Sequence, residues 1–504
     1  MAGKESGIIP RYSEFGGRRI QSECGMFASF YPGHDVRVFT YDAGGDLQHR
    51  AEGGAGMFVS DGKNSDIVRG LGRISTVFQE GKFLPDVEGH IALIHNRYPT
   101  AGNSDYLPNI QPLSLDGLTL GHHGNLTNAT EILNKLGNVQ RGGEFPDSDS
   151  WLALNAIVRT PGDSLAEKLI KAQKDFEGGW AFILTDGKQI VASRDPQGIR
   201  PLFIADRDNG SAGHFLSVET APFVSLGVDN YREVLPGETL VIDEKGVRTV
   251  DVNSKDQRSC IFEFVYMMNP VSEFMGQNVY MTRRRAGEIL WEEQPVIPEK
   301  GEQYVVMGIP DSGRASALGF FQRAQEEYGN QFTYDEGLIA KKYFGRRFIK
   351  SSQERANTSK FNAIDELITG KSIIIVDDSI VRGETNKDNV KKLLERGARR
   401  VYGRVASPEI THPCFWGVAF STEKELFANN FPDIEDRARR LNLVSLGHLS
   451  MEGLFKSVGM SSSEIKAAIE KKERKFCTHC FDGFGPDIKN HGIIPLVETQ
   501  EVPA

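Results

Sequence analysis

Three groups of side chains in this 504-residue chain could do chemistry. Asp377 and Asp378 follow the apolar run Ile373-Ile374-Ile375-Val376 and precede the turn Ser379-Ile380-Val381-Arg382-Gly383-Glu384-Thr385. Adjacent carboxylates ahead of a turn that can aim hydroxyls and backbone N–H groups at an anion suit a phosphate on a polyhydroxy body. Cys477 and Cys480 form a C-x-x-C pair, and two thiolates at that spacing can share one metal centre. Cys24 stands in Glu23-Cys24-Gly25-Met26-Phe27-Ala28, where a charged, glycine-containing leader gives way to an apolar segment. If the chain is cut after Glu23, Cys24 carries a free α-amine of pKa about 7.7 to 8.0, which can act as general base beside its own thiol.

These groups need elements to hold them. The run Ile373–Val376 predicts a core strand of a parallel sheet, whose carboxyl end is where open α/β sheets bind ligands. A helix is expected from Asn386 to about Arg396, with Val390, Leu393 and Leu394 as its apolar stripe and Gly397 as its stop; Arg400–Val405 returns as the next strand. The C-x-x-C follows a helix opened by the capping-box pattern Ser461-Ser462-Ser463-Glu464, with Ile465, Ala468 and Ile469 as apolar positions. In isolation, an Asp-Asp pair would cap a helix or face water, and Cys260 and Cys414 would be small buried hydrophobes.

Length and composition narrow the class. The length suggests two to three domains, each with its own core. Charged residues at 25% and hydrophobic residues at 39% are ordinary for a cytosolic globular protein, so a cytoplasmic location is expected. The formal charge of −9 argues against a nucleic-acid partner. No run approaches the roughly 18 apolar residues of a membrane span, and the leader, with Lys4, Arg11, Arg18 and Arg19, lacks the apolar stretch of a secretory signal. Five cysteines are too few, and odd in number, for a disulfide scaffold, which turns attention to reactive or ligating thiols.

The segment Ile373–Thr385 closely resembles the 5-phosphoribosyl-1-pyrophosphate (PRPP) signature of the type I phosphoribosyltransferases, and its Ser-Ile-Val-Arg-Gly form resembles the glutamine PRPP amidotransferases in particular. The resemblance implies that Asp377 and Asp378 hold ribose hydroxyls and that Ser379, Arg382, Gly383 and Thr385 surround the 5-phosphate. Mg²⁺ would accompany PRPP. Ile309–Arg314 resembles the family's Pro-Asp-Ser-Gly-Arg turn beside pyrophosphate; Tyr343–Phe348, with Arg346, resembles its mobile loop; and Lys360-Phe361-Asn362-Ala363 resembles the segment whose Lys meets pyrophosphate.

The first half resembles the N-terminal nucleophile glutaminases, in which the cysteine attacks the glutamine side-chain amide, forms a thioester and releases ammonia. Cys24 takes that place. Arg97, in His95–Gly102, matches the Arg that clamps the glutamine α-carboxylate, and Asp149, in Ser148-Asp149-Ser150, matches the Asp that takes the α-amine. Leu47–Arg50 and Gly54–Met57 resemble an early hairpin; Arg194–Leu202 and Ser217–Thr220 resemble structural signatures. The segments around Cys260, Cys414 and Cys477-x-x-Cys480 are similar to the cluster-bearing branch, which implies one [4Fe-4S] cluster on those four thiolates. Zinc is the competing metal.

Three departures bear on activity. The oxyanion motif His-Asn-Gly-Asn-Leu reads His122-His123-Gly124-Asn125-Leu126 here, so His123 replaces the Asn donor while the Gly124 N–H stays as the second. Glu384 stands where a Thr is usual near the 5-phosphate, and the stretch between Gln353 and Lys360 is about three residues short. The fold expected is an αββα glutaminase domain over 24–255 after a propeptide 1–23, then an α/β phosphoribosyltransferase domain with a parallel sheet over 256–485, and a tail 486–504. The reaction expected is glutamine, PRPP and water to 5-phosphoribosylamine, glutamate and pyrophosphate, the first step of purine synthesis. A homotetramer inhibited by purine nucleotides is implied. The alternatives are an ammonia-dependent synthase with an impaired glutaminase, and a non-catalytic PRPP- or nucleotide-binding regulator.

Overall fold

The computed structural model describes residues 24–97, 106–207, 213–340, 361–418, 420 and 422–486. The leader, Arg346 and Lys360 lie outside the described residues.

The first half is built on two antiparallel sheets. One has seven strands in the spatial order Tyr231–Glu233, Phe203–Arg207, Gly213–Ser217, Gly25–Phe30, Ile91–Arg97, Gly54–Ser60 and Ser65–Leu71. The other has six, in the order Gly246–Val252, Glu238–Asp243, Ile190–Arg194, Gly178–Thr185, Leu118–Leu126 and Leu113–Leu115. The sheets meet face to face, and a His95 Nε2–H on the first donates to the His122 carbonyl on the second at 3.0 Å. Helix Arg37–Asp46 lies on the outer face of the first sheet, and helices Asp149–Arg159 and Leu165–Ala172 on that of the second. This is an αββα sandwich. Strands Gly25–Phe30, Gly54–Ser60 and Ile91–Arg97 are buried at every position because both their faces are covered, so they read as unbroken runs rather than as alternation. The edge strand Ser65–Leu71 is half-buried to exposed, with Ser65, Arg69 and Leu71 facing solvent.

The second half carries a five-stranded parallel sheet in the order Phe332–Tyr334, Tyr304–Gly308, Ser372–Asp377, Arg400–Val405 and Leu446–His448. The chain lays down Tyr304–Gly308, adds Phe332–Tyr334 on one side, then crosses to the other for Ser372–Asp377. The strand order therefore reverses between Tyr304–Gly308 and Ser372–Asp377, which opens a crevice at their carboxyl ends. Ser372–Asp377 is buried throughout and extends one residue beyond the expected run at each end.

The helix after it spans Glu384–Glu395 and begins two residues earlier than expected. Gly383, at φ +77°, supplies the left-handed turn into it, and Glu384 sits in the first turn, where a helix N-terminus favours an acid. Its buried stripe is narrower than expected: Val390 and Leu393 are interior, whereas Leu394 is exposed. The Ser461–Glu464 capping box is formed and opens helix Ser462–Glu470, whose Ile465 and Ala468 are buried while Ile469 faces solvent. Among the described residues no helix is long and apolar enough to cross a membrane.

Candidate active site

Asp377 closes the central strand of the parallel sheet, and Asp378 opens the turn beyond it. From the turn after the neighbouring strand, Ser312 Oγ reaches across the crevice and donates to Asp378 Oδ1. Ser379 Oγ donates to Asp378 Oδ2 at 2.6 Å. The Asp378 N–H donates to Asp377 Oδ1 at 3.0 Å, and Asn386 Nδ2 donates to Asp377 Oδ2 at 2.9 Å. Burial, then the Asp378 carboxylate beside it, holds the Asp377 carboxyl well above its ordinary range. Burial also raises Asp378, against the Ser312 and Ser379 hydroxyls and the charge of Arg283. The turn is tight: a Cβ on Gly383 would lie 3.0 Å from the Phe427 ring. Arg382 pairs with Glu425, Thr385 is half-buried, and Glu384 points into solvent.

The second constellation lies between the two sheets of the first half. Cys24 immediately precedes the strand at the centre of the seven-stranded sheet and is buried. Arg97 ends the adjacent strand and is buried as well. His123 and Gly124 come from the facing sheet, and the His123 ring lies against the backbone of Cys24. Burial, then Arg50, His122 and His95, keeps His123 well below the ordinary histidine value, so the imidazole is neutral. Burial likewise pushes His95 down to about 3 and lowers His122, the latter against Asp149. Gly124 has φ +135°, and a Cβ there would meet the Gly179 carbonyl oxygen at 2.0 Å, so only glycine fits. Asp149 accepts from the Leu126 N–H at 3.0 Å and the Ser150 N–H at 2.8 Å, which ties its helix to the end of the His123 strand.

The remaining four cysteines converge from three remote segments. Ser259–Cys260 pairs in parallel with Phe476–Cys477, and Cys260 stands opposite Cys477 in that register. The N–H groups of Thr411 and His412 donate to the Cys480 carbonyl at 2.9 and 3.1 Å, which brings in the segment that carries Cys414. Cys260, Cys477 and Cys480 are buried, and Cys414 is half-buried. Burial pushes the Cys260 and Cys477 thiols up to about 12, and the neighbouring cysteine side chains add to the rise. Cys480 is raised in the same way, by burial and then by Cys260, Cys477 and Cys414. Among the described residues no three ligating side chains draw close enough to hold a single metal ion.

Sequence reasoning assigned no role to the buried charges that join these regions. Arg50, wholly buried, donates to Glu219 and, through Nη2, to both oxygens of Glu263 at 3.1 and 3.2 Å. Glu219 also accepts from Asn269 N–H at 2.7 Å and Ser272 Oγ at 3.0 Å, and lies 2.9 Å from His49 Nε2. Arg283, also buried, donates to the carbonyls of Phe264 and Met268 at 2.7 and 2.8 Å and acts on the Asp378 carboxyl. Asn125, in the oxyanion strand, donates through Nδ2 to the Phe415 carbonyl at 2.7 Å, next to Cys414. Arg50, Glu219 and Asn125 lie in segments that resemble family motifs, but the sequence does not announce these pairings, because the partners are remote in the chain.

Residues 102–221 match the family model of a glutamine amidotransferase domain. The chain is 33% identical over 491 residues to an amidophosphoribosyltransferase of Bacillus subtilis, covering 95% of this chain and 97% of that protein. It is 34% identical over 485 residues to one of Mycobacterium tuberculosis, covering 92% of this chain and 86% of the other. Among solved structures, a glutamine PRPP amidotransferase of B. subtilis complexed with ADP and GMP superposes with a TM-score of 0.81 at 31% identity, over 94% of this chain and all of that one. A structure described as the allosteric regulatory enzyme of purine biosynthesis gives 0.80 at 32% identity, over 94% and 98%. With an αββα sandwich joined to a parallel sheet whose crevice carries paired carboxylates, the chain belongs to the amidophosphoribosyltransferases, the glutamine-dependent phosphoribosyltransferases of the first step of purine biosynthesis.

Proposed function

We propose that the residues of this chain divide that reaction as follows. The leader 1–23 is removed, residues 24–255 take ammonia from glutamine, and residues 256–485 transfer it to PRPP. The freed Cys24 amine accepts the thiol proton while sulfur attacks the glutamine side-chain amide. Arg97 grips the α-carboxylate and Asp149 the α-amine. The neutral His123 ring and the Gly124 N–H donate to the developing oxyanion.

In the crevice, Asp377 and Asp378 orient the ribose hydroxyls while ammonia attacks C1 and pyrophosphate leaves. Ser379, Arg382, Gly383 and Thr385 surround the 5-phosphate, and Lys360 and Arg346 meet the pyrophosphate. Mg²⁺ supplies charge neutralisation on the phosphate oxygens. The observation that carries this reading is the Ser312–Asp378–Asp377–Asn386 hydrogen-bonded chain, set where the strand order reverses. It preorganises two carboxylates for a sugar before any ligand arrives.

Cys260, Cys414, Cys477 and Cys480 form an all-sulfur donor set of mutually interacting side chains, which fits a soft metal centre. The resemblance of the three cysteine segments to the cluster-bearing branch of the family favours a [4Fe-4S] cluster over zinc. Such a centre pins three remote segments together. The B. subtilis relative's complex with ADP and GMP supports purine nucleotides as feedback inhibitors. A homotetramer in the cytoplasm completes the reading.

The test is an anaerobic assay of pyrophosphate release from PRPP with glutamine and with ammonium in parallel, after intact-mass determination of the N-terminus. Release with glutamine from a chain beginning at Cys24 is expected. Release with ammonium alone would leave a synthase with a failed glutaminase, and release with neither would favour a binding protein.

A further inference from the structure

Arg200 has no part in either half-reaction, yet it is wholly buried. Its backbone is fixed on both sides: its N–H donates to Asp195 Oδ2 at 3.1 Å, and its carbonyl accepts from Arg194 Nε at 2.7 Å. The preceding carbonyl, of Ile199, accepts the Cys260 N–H at 3.2 Å, so the segment that carries this guanidinium is bonded to one that carries a centre cysteine. The ionisable groups that act on the Arg200 guanidinium are Cys260, Glu263, Cys414 and Cys477. Of these, Glu263 lies 3.6 Å from Arg200 Nη1 and is already engaged by Arg50 at 3.1 and 3.2 Å.

Charge conservation gives the arrangement a purpose. Four thiolates around either a [4Fe-4S] core or Zn²⁺ leave a net charge of about −2 in the interior. A buried charge of that size is costly unless an opposite charge sits beside it. We propose that Arg200 is the buried counter-charge of the cysteine-held metal centre, a positioning residue that sets how tightly the centre is held and, for a cluster, how readily it is reduced. The inference rests on the reading of the four cysteines as metal ligands.

The purified full-length protein and its Arg200→Lys, Arg200→Gln and Glu263→Gln variants are compared in two measurements: metal loss to a chelator, and, where the metal is iron, midpoint potential by redox titration followed by EPR. Outer-shell partners of metal sites are worth 10–100-fold in affinity, so R200Q should lose metal roughly 10–100-fold faster, with R200K close to the parent. An electron added to an already negative cluster is less well tolerated without the guanidinium, so the R200Q potential should fall. E263Q removes the opposing carboxylate, and its potential should rise.

If R200Q does not fold, the Arg200→Gln/Glu263→Gln double variant is compared with Glu263→Gln: faster metal loss or a lower potential in the double variant supports the proposal, and no difference overturns it. Unchanged metal retention and potential in a folded R200Q also overturns it, leaving Arg200 as a second counter-ion of Glu263. A parent protein isolated without metal would instead sink the metal-centre reading itself.

Discussion

At the scale of single residues, the crevice is built against its own stability. A carboxyl whose folded-state pKa is raised penalises the fold once it ionises; the penalty is present at neutral pH and disappears as pH falls through the raised value. Asp377 is such a group, lifted by burial and by Asp378. In Asp377→Asn the side-chain oxygen still accepts the Asp378 N–H, and Asn386 can turn its amide to offer an oxygen to the new NH₂. We expect D377N to be about 1–2 kcal/mol more stable than the parent at pH 7 and to approach it in mildly acid buffer, by urea denaturation, while losing PRPP affinity. A variant less stable at neutral pH would show that the carboxylate is favourably held instead. His123 gives a second case. Its imidazole is neutral by burial and can donate one hydrogen bond without titrating. His123→Ala should lower glutamine-dependent kcat by roughly 10²–10³, as loss of an oxyanion donor does, with ammonium-dependent turnover kept, and His123→Asn should restore most of it. Equal loss with both nitrogen sources would place the defect outside the glutaminase.

At the scale of elements, what was legible in the sequence was what neighbouring residues decide among themselves. Ile373–Val376 reads as a buried strand because a central parallel strand is covered on both faces, and the Ser461–Glu464 box reads directly because its partners are three residues apart. The start of the helix at Glu384 was less legible, since it depends on the left-handed conformation of Gly383. Leu394 and Ile469 continue the apolar pattern of their helices yet face solvent, because the width of a buried stripe is set by the packed neighbour, which the helix sequence does not contain. Gly383 supplies a test at this scale. Alanine there must take φ +77° with its Cβ 3.0 Å from the Phe427 ring. We expect Gly383→Ala to cost about 1–2 kcal/mol of stability and, if the turn binds the 5-phosphate as proposed, to raise the KM for PRPP more than it lowers kcat. A fall in kcat at unchanged KM would assign the turn to the transition state instead.

At the scale of the whole molecule, the two halves are joined by polar contacts whose partners lie far apart in the sequence. Arg50 and Glu219 are 169 residues apart, Arg50 and Glu263 are 213, and Asn125 and Phe415 are 290. An Arg after a helix and a Glu after a strand are ordinary in any sequence; only the fold shows that they meet at zero exposure. Burial favours the neutral carboxyl of Glu219, but His49 and Arg50 overcome it and hold the group well below the ordinary 4.5. A depressed carboxyl contributes stability above its unfolded value and loses it as pH falls toward the depressed one, so this link should weaken only in strong acid. Arg50→Met removes the shared partner of two buried carboxylates, leaving Glu219 to His49 and Glu263 to Arg200 at 3.6 Å, and should cost about 3–5 kcal/mol. Because Glu219 belongs to the sandwich and Glu263 to the segment that leads into the second half, the loss should appear in both. Denaturation of R50M, followed by tryptophan fluorescence and by PRPP-dependent protection, should shift both transitions together. Adding Glu219→Gln and Glu263→Gln to R50M should return most of the stability, since replacing a whole buried ion set costs far less than orphaning part of it. Transitions that separate in R50M, with the triple variant no better, would mean that the halves are held by apolar packing and that the ion set only specifies their register.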